Sequence, residues 1–527
     1  MTERILSTTG SLVPPTGWLD DDRDAGAGPG VAFLLLVTVV ALALRLFRLD
    51  GMSLWVDEIF TWDLIAPRAG ARFGEQILLA YQGPLYHAAA WPLVRLADTA
   101  FMLRLPAALA STAVVPLVGV FAGRLWGREA GRLAALLACL NPFLLWYGQE
   151  ARGYAFVMAF SVASGLVFMD AVRRGITTGR AVLLALCIGG GLTSNFAFIF
   201  LPLAFGLTVL LAAMPRRGSQ WILWLIALAG GLILALPWVL KAAGIWEVGR
   251  VLPGVDTGQA LRGDTTFSPW ALPFSGFALL YGFTLGPSLA QLHGADRLDA
   301  IVHHGPLIAL AALAAAVPML VALSQLSRRR WIIILWVAVP VVGVVLLATR
   351  NIKPFNVRYL ASVLPWLVVL MAAGLARLAV WPRRVLAAAL FGLSLASLAG
   401  LFWVGDYAKA DIRGAVAVVT REATPRTVLA PTVGPVVRHY LGERMPVKGC
   451  WDESILATPA DADGLVARQL AGVSDAWYLR ARAWDLDPHG RIPDALRRVG
   501  TLERVDERNG VTLDRWRRHD EAVEVAP

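Results

Sequence analysis

The chain has 527 residues, of which 57% are hydrophobic and 16% are charged. Soluble domains average about 45–50% apolar and about 25% charged residues. The apolar excess runs along most of the chain, which excludes a soluble protein with a single membrane anchor. The charged residues stand in short clusters between apolar runs, a pattern typical of repeated bilayer crossings.

The formal net charge of +10 would suit a nucleic-acid-binding protein. The Arg clusters, however, lie in short loops between apolar segments, where they set membrane topology, so no nucleic-acid partner is expected. Cys139 and Cys187 fall in apolar segments and Cys450 in the polar tail, with neither metal-site spacing nor an obvious disulfide pair. We therefore interpret all three as small apolar side chains.

Each crossing needs roughly 20 apolar residues. Residues 1–30 precede the first apolar run and lack the features of a secretory signal, so we expect a disordered cytoplasmic tail. About eleven spans are predicted after it. They lie at 31–47, 104–123, 131–147, 153–172, 181–194, 196–213, 220–240, 305–325, 331–349, 359–379 and 385–404.

The positive-inside rule predicts the orientation of these spans. With a cytoplasmic N-terminus, five basic loops all fall on the inner side of the membrane, and an odd number of spans puts the C-terminus outside. These loops are Gly123–Arg132, Arg173–Arg180, Pro215–Gly218, Ser327–Arg330 and Trp381–Arg384.

Three segments are then expected outside the membrane. They are two large outer loops at 48–103 and 241–304 and a soluble domain at 406–527. In this domain, predicted helices alternate with predicted strands, which indicates a small α/β fold. The predicted helices are Asp411–Glu422, Ala460–Ala471 and Pro493–Val499, and the predicted strands are Thr427–Ala430 and Ala476–Arg480.

Asp57 and Glu58 follow the first span, between Trp55 and Trp62. Two adjacent acids are expensive to hold near lipid, and the tryptophans are typical of a membrane interface. Partial desolvation would raise the basicity of such a carboxylate and suit it to act as a general base. A helix N-terminus that carries acids is an equally good interpretation of the spacing alone.

Arg152 stands in a predicted outer loop, where arginine is uncommon, among Gln149, Glu150 and Tyr154. This group is suited to gripping a phosphate or a sugar. The alternative is that Arg152 pairs with Glu150 for structural reasons.

A second predicted outer loop carries three cations, Arg350, Lys353 and Arg358, followed by Tyr359. Three cations outside indicate an anionic ligand, and a lipid phosphate is the natural candidate. Snorkelling toward headgroups is the alternative and explains one cation better than three. Tyr86 and His87, in the first outer loop, are expected to shape the same site.

Six motifs follow one another over about residues 30–405. They are WVDEIFTW, GPLYH, RLPAALAS, YGQEARGY, LGPSLAQLH and FNVRYLASVLPW. The ordered set resembles the GT-C glycosyltransferases of the protein O-mannosyltransferase and aminoarabinose transferase type. The resemblance implies a mainly α, polytopic GT-C fold whose catalytic domain spans 31–405. It also implies a polyprenyl-phosphate sugar as donor and an acceptor at the outer face.

The resemblance further implies that Asp57 activates the acceptor hydroxyl, with Glu58 beside it as a second catalytic acid. Arg152 and Arg358, with Tyr359, would contact the lipid phosphate. Neither a metal nor another cofactor is expected, since this family's monophosphate users generally work without a metal. The substrate-binding residues expected are Tyr86, His87, Gln149, Glu150, Arg152, Tyr154, Lys353, Arg358 and Tyr359.

The chain departs from the family at two places. Gly83-Pro84 stands where Pro-Pro is frequent, and Asn195-Phe196 stands where His-Tyr is frequent. These departures bear on the identity of the sugar or of the acceptor, which is a protein, a lipid or a cell-wall glycan. Two other functions remain open, a transporter or flippase of lipid-linked saccharides and a non-catalytic glycan-binding homologue.

Overall fold

The computed structural model describes residues 28–66, 83–212, 218–245, 267–293, 297–324, 331–350, 355–422, 424–449, 459–482, 487 and 489–519. The predicted N-terminal tail (apart from residues 28–30), Lys353 and Cys450 lie outside these ranges. Cys139 and Cys187 are buried and free, as expected.

Within the described ranges, the membrane part is built from helices joined by short connections. Its helices are α1 Val31–Leu46, α2 Val56–Ile65, α3 Leu85–Leu96, α4 Ala100–Leu140, α5 Pro142–Gly148, α6 Tyr154–Arg174, α7 Thr178–Leu192, α8 Phe200–Ala212, α9 Gly218–Ile245, α10 Ala271–Tyr281, α11 Leu289–His293, α12 Arg297–His303, α13 Gly305–Ser324, α14 Ile332–Thr349, α15 Leu364–Arg377 and α16 Val380–Trp403. Short 3₁₀ turns, Phe196–Ile199 and Val357–Val363, lead into α8 and α15.

All eleven predicted spans fall on helices. Within the described residues, seven helices are long and apolar enough to cross a bilayer, and α1, α7 and α8 with its 3₁₀ turn are apolar but shorter. Helix α4, with 41 residues, consists of two helices that meet at Gly127, whose φ of 85° is one that residues other than glycine rarely adopt. The span predicted at 104–123 lies in its first half, and the span predicted at 131–147 begins in its second half and continues into α5. The protein is therefore a polytopic membrane protein.

Arg45 fixes the end of α1 that leads to α2. It is fully buried, and its guanidinium donates to Ser111 Oγ at 2.9 Å and to the carbonyl oxygens of Ala138 and Cys139 at 3.1 and 2.9 Å. A buried guanidinium is tolerated where its donors are satisfied in this way. These bonds hold α1 against both halves of α4 and so position the segment that carries Asp57.

The C-terminal domain follows α16 and has the predicted α/β class. Its sheet has the order β2-β1-β3-β5-β4, in which β1 runs parallel to β2 and β3 whereas β5 runs antiparallel to β3 and β4. The elements are α17 Ile412–Arg421, β1 Val428–Leu429, α18 Gly434–Leu441, β2 Val447–Lys448, α19 Pro459–Gln469, β3 Asp475–Ala481, α20 Arg491–Val499, β4 Gly500–Arg508 and β5 Val511–Arg518.

The domain packs directly on α2. Val56 and Trp62 of α2 share one buried apolar cluster with Val416 of α17 and Val437 of α18. The backbone N–H of Leu54 donates to the Tyr440 hydroxyl at 2.7 Å, which fixes the chain just before α2. The helix that carries Asp57 is thus held between the membrane bundle and the soluble domain.

Candidate active site

Helix α2 begins with an acidic first turn. Trp55 is its N-cap, and the Glu58 carboxylate accepts from the backbone N–H of Trp55 at 3.3 Å. Carboxylates in the first turn of a helix accept hydrogen bonds from its free backbone N–H groups and interact favourably with the helix dipole. Both acids thus lie at a helix N-terminus, but only the Glu58 carboxylate bonds the N-cap, while the Asp57 carboxylate contacts other partners.

Glu58 is completely buried in a network of ion pairs. Arg104 donates to both of its carboxylate oxygens, at 2.7 and 2.8 Å, and Lys409 Nζ lies 3.1 Å from Oε2. The Ala151 N–H adds a further bond at 2.9 Å. Burial raises the pKa of Glu58, but Arg104 and Lys409 lower it more, so the pKa lies below its usual value. Both carboxylate oxygens of Glu58 are thus bonded to neighbouring groups, and Glu58 fixes the first turn of α2 next to Asp57.

Asp57 is partly open, with 19% of its side chain exposed. Arg358 Nη1 donates to its Oδ2 at 2.9 Å, and Arg152 Nη2 lies 3.9 Å from the same oxygen. Burial raises the pKa of Asp57, but Arg152 and Arg358 lower it more, so the net pKa falls below its usual value. The expected rise in basicity is therefore wrong for this state, because desolvation is outweighed by two guanidinium groups.

Arg152 pairs with Asp57 and not with Glu150. Its Nη1 donates to the Asp57 carbonyl oxygen at 3.0 Å, whereas Glu150 Oε2 lies 3.6 Å from Lys409 Nζ. Three guanidinium nitrogens, Arg152 Nε, Arg152 Nη2 and Arg358 Nε, are buried with no hydrogen-bond partner among the described residues. Buried donors without acceptors are costly, so this position is suited to an anion that accepts from them.

Aromatic rings enclose Arg358. Its guanidinium carbon lies 5.6 Å from the ring centre of Tyr154, 5.7 Å from that of Tyr359 and 5.9 Å from that of Trp55. At such distances the rings attract the cation without using its N–H donors. The predicted residue Tyr154 therefore lies close to the predicted pair Arg358 and Tyr359, beside Asp57. The two parts of the chain that meet here are far apart in sequence.

Three other predicted residues lie around this centre. Gln149 donates to the carbonyl oxygens of Arg45 and Phe47, at 3.0 and 2.8 Å, and so ties its loop to the end of α1. Tyr86 is buried and donates to the Leu103 carbonyl oxygen at 2.7 Å. His87 is also buried, and its burial and the charge of Arg152 lower its pKa to about 4, so its imidazole is neutral at pH 7.

The two departures from the family pattern are neighbours in space. Leu85 N–H donates to the Thr193 carbonyl oxygen at 3.1 Å, and Asn195 accepts from the N–H of Ala197 as the cap of the following turn. A Cβ on Gly83 would lie 1.9 Å from the Thr193 oxygen. Glycine at residue 83 thus allows α3 to approach the end of α7, beside the turn that Asn195 begins.

Replacing Gly83 with alanine should destabilise the protein, because the added Cβ meets backbone atoms that cannot move away. We expect a loss of about 1–3 kcal/mol or more in the free energy of unfolding, as for other overpacked sites. Thermal unfolding in detergent measures it. Gly179→Ala is the control, since nothing lies within 4 Å of its Cβ; equal stability of the two variants would contradict the close approach.

Three charged residues at the centre were not assigned a role from sequence. Arg104 opens the RLPAALAS motif. An Arg at the start of an apolar helix indicates that a buried carboxylate partner lies nearby, so this residue could have been identified from sequence. Lys409 and Arg482 come from the C-terminal segment, and nothing in their local sequence indicates proximity to Asp57. Within the described part of the chain, no three His, Cys, Asp or Glu side chains are grouped as a metal site, and the cofactor expectation stays a prediction.

Neither the protein-family models nor the curated proteins match this chain. Solved structures do. The crystal structure of ArnT from Cupriavidus metallidurans in the apo state matches with a TM-score of 0.57 and 13% identity, over 92% of this chain and 98% of ArnT. The chain has the GT-C fold.

Two further structures share the GT-C fold with this chain. ArnT from Cupriavidus metallidurans bound to undecaprenyl phosphate matches with a TM-score of 0.55, 13% identity and the same coverage. The archaeal oligosaccharyltransferase AglB from Archaeoglobus fulgidus, in complex with an inhibitory peptide and a dolichol-phosphate, matches with a TM-score of 0.51 and 12% identity, over 94% of this chain and 75% of AglB. The predicted fold is confirmed, and at these identities the likeness concerns the fold alone.

Proposed function

We propose that the protein is a glycosyltransferase that moves a sugar from a polyprenyl-phosphate donor to an acceptor hydroxyl, with Asp57 as the general base. One observation carries the proposal. A partly exposed carboxylate lies against two guanidinium groups, three of whose nitrogens are buried and have no hydrogen-bond partner among the described residues. The GT-C fold and the undecaprenyl phosphate bound to ArnT support it.

The arrangement has a chemical consequence for Asp57. Arg152 and Arg358 lower the pKa of Asp57 and so keep its carboxylate deprotonated and weakly basic. A phosphate that draws these guanidinium groups toward itself removes their charge from Asp57, whose pKa then rises because it is desolvated. Donor binding would thus prepare the base for the acceptor.

The transfer step follows from the same groups. The acceptor oxygen attacks the sugar carbon that bears the phosphate, and its proton passes to Asp57. The bond from the sugar to the phosphate oxygen breaks, and its electron pair stays on the lipid phosphate, which gains negative charge. Arg152 and Arg358 stabilise that charge as it develops. Glu58, Arg104 and Lys409 hold the first turn of α2 in place and do not touch the reacting atoms.

The proposal keeps the predicted membrane orientation. The site would face the outer side of a bacterial cytoplasmic membrane, with the N-terminus in the cytoplasm. A lipid-linked sugar already present on that side supplies the activated donor, and the acceptor is a protein, a lipid or a glycan. The predicted contact of Lys353 with the phosphate lies outside the described residues.

The charge distribution favours an enzyme over a transporter or flippase. Transport sites place ionisable groups near the middle of the membrane. Here the three acids of the site, Asp57, Glu58 and Glu150, lie in α2 or in a connecting segment. The site is next to the C-terminal domain, which packs on α2. A non-catalytic homologue would have no use for a carboxylate held partly open between two cations.

A donor panel tests the proposal. The purified full-length protein is incubated with labelled polyprenyl-phosphate sugars of several kinds and with membrane extract as the source of acceptor. Loss of label from the lipid with at least one donor is expected. Failure of every donor, together with no measurable binding of polyprenyl phosphate, would overturn the proposal.

Arg358→Gln tests the coupling between the phosphate site and the base. Because Arg358 lowers the pKa of Asp57, its removal should move the acidic limb of the pH profile of kcat/KM to higher pH. At neutral pH, kcat/KM should fall about 10- to 100-fold through the lost phosphate contact. Arg421→Gln, at an exposed position on α17, is the control. An unshifted acidic limb in the Arg358 variant would contradict the pairing.

A further inference from the structure

Two cations near Asp57 come from the C-terminal part of the chain. Lys409 lies between α16 and α17, and Arg482 directly follows β3. The turn between β4 and β5 holds the first of them, since the Asn509 side chain donates to the carbonyl oxygens of Ala408 and Lys409 at 3.0 and 3.3 Å. The position of Lys409 thus depends on the fold of the soluble domain.

Arg482 lies against Trp55, the N-cap residue of α2. Its guanidinium carbon lies 5.3 Å from the ring centre of Trp55, the residue before α2. Arg358 and Lys409 approach the same ring, each at 5.9 Å. One indole ring therefore has three cations around it, brought from three separate parts of the chain. The Nε1 atom of Trp55 is buried and has no hydrogen-bond partner within the described part of the chain.

The backbone of Arg482 is unusual. Its φ is 50°, in the left-handed region that non-glycine residues rarely occupy. Such conformations persist when the surrounding structure enforces them, and they cluster at functional sites. The turn directs Arg482 from the end of a central strand toward Trp55.

Among the described residues, the ion-paired groups at the site carry more positive than negative charge. Four cations, Arg104, Arg152, Arg358 and Lys409, face three carboxylates, Asp57, Glu58 and Glu150, and the charge of Arg482 also acts on Asp57. Excess buried positive charge is unfavourable unless an anion compensates it. A phosphate group has the charge and the acceptor oxygens that this cluster lacks.

We propose that the C-terminal domain completes the phosphate site, with Arg482 contacting the phosphate of the lipid-linked donor from the side opposite the membrane bundle. This inference rests on the proposed function and assigns a role to the soluble domain. The domain is docked on α2 through Trp62, whose ring meets that of His439 edge-on at 4.7 Å, so Arg482 is presented from a fixed support.

Binding of a lipid phosphate without sugar tests the role of Arg482 apart from transfer. Affinity for a short-chain polyprenyl phosphate is measured on the full-length protein in detergent, with the matching polyprenol and inorganic phosphate as separate ligands. Arg482→Ala should bind polyprenyl phosphate about 10- to 100-fold more weakly, the range of one charge-assisted hydrogen bond, and Arg482→Lys should fall in between. Weakened binding of inorganic phosphate as well would assign the effect to the phosphate group.

Arg497→Ala is the matched control, since Arg497 is an exposed arginine of the same domain whose Nη1 lies 3.0 Å from Asp494. Unfolding midpoints of all variants are compared with that of the wild type, and Arg482→Lys serves if the alanine variant unfolds. Unchanged binding in both Arg482 variants would overturn this inference alone. A wild-type protein that fails to bind polyprenyl phosphate would overturn the proposed function together with it.

Discussion

Asp57→Asn should lower the rate of sugar transfer by about 10²- to 10⁴-fold, the usual contribution of a positioned general base. The amide keeps the size of the side chain but cannot accept the acceptor's proton. Binding should behave in the opposite way. Arg152 and Arg358 lose the carboxylate that competes for them, so polyprenyl phosphate should bind with equal or greater affinity. Initial rates and affinity are measured on the same purified sample.

Asp63→Asn is the matched control for this variant. Asp63 lies on the same helix, six residues further along, and its side chain is exposed. It should leave both rate and affinity unchanged. Near-wild-type transfer by the Asp57 variant would rule out Asp57 as the base. Loss of lipid-phosphate binding in that variant would show that the carboxylate, and not the guanidinium groups, recognises the donor.

The fold was largely predictable because its main determinant is local. A run of about 20 apolar residues forms a helix in a bilayer regardless of the neighbouring segments. A helix satisfies the hydrogen bonds of all its backbone N–H and C=O groups within the segment, where no water is present. The loop predicted at Gly123–Arg132 contains the break at Gly127 that divides α4 into two helices. Helix continues closer to this break than predicted, because one glycine with a positive φ is enough to make the turn.

The soluble domain was predicted less well. Buried strands such as Asp475–Ala481 have an apolar pattern that stands out. The hairpin Gly500–Arg508 and Val511–Arg518 was missed because it is rich in charged residues, which pair across or along the strands, as Arg504 does with Asp514. Helix Gly434–Leu441 was missed because it is short and its apolar face becomes evident only when it packs on α2.

At the site, sequence reasoning found the residue types but not their pairing. Asp57, Arg152 and Arg358 were each noticed as charges outside the spans, and the structure brings them together. Which cation meets which acid depends on the docking of separate loops, so the pairing of Arg152 with Asp57 and of Glu150 with Lys409 had no local signal. The same reason explains why Arg482 went unnoticed.

Glu58→Gln should be the most destabilising conservative change near the site. It removes the charge that compensates Arg104, whose side chain is 1% exposed and which cannot reach water. Breaking a buried pair from one side costs about 3–5 kcal/mol, because the remaining charge is left without compensation. Glu443→Gln, at an exposed position of the soluble domain, should have almost no effect on the unfolding midpoint. The double variant Glu58→Gln with Arg104→Gln should recover part of the loss, since it leaves one buried charge fewer.

The pH dependence separates this electrostatic effect from altered packing. The pKa of Glu58 falls from 4.5 to about 2 on folding, so its contribution is fully present above the unfolded value and is lost as the pH falls toward the folded one. The stability difference between wild type and Glu58→Gln should therefore stay constant from about pH 5 to 8 and shrink below about pH 4. A difference that persists unchanged at low pH would mean that the shape of the side chain, and not its charge, holds the first turn of α2 against Arg104.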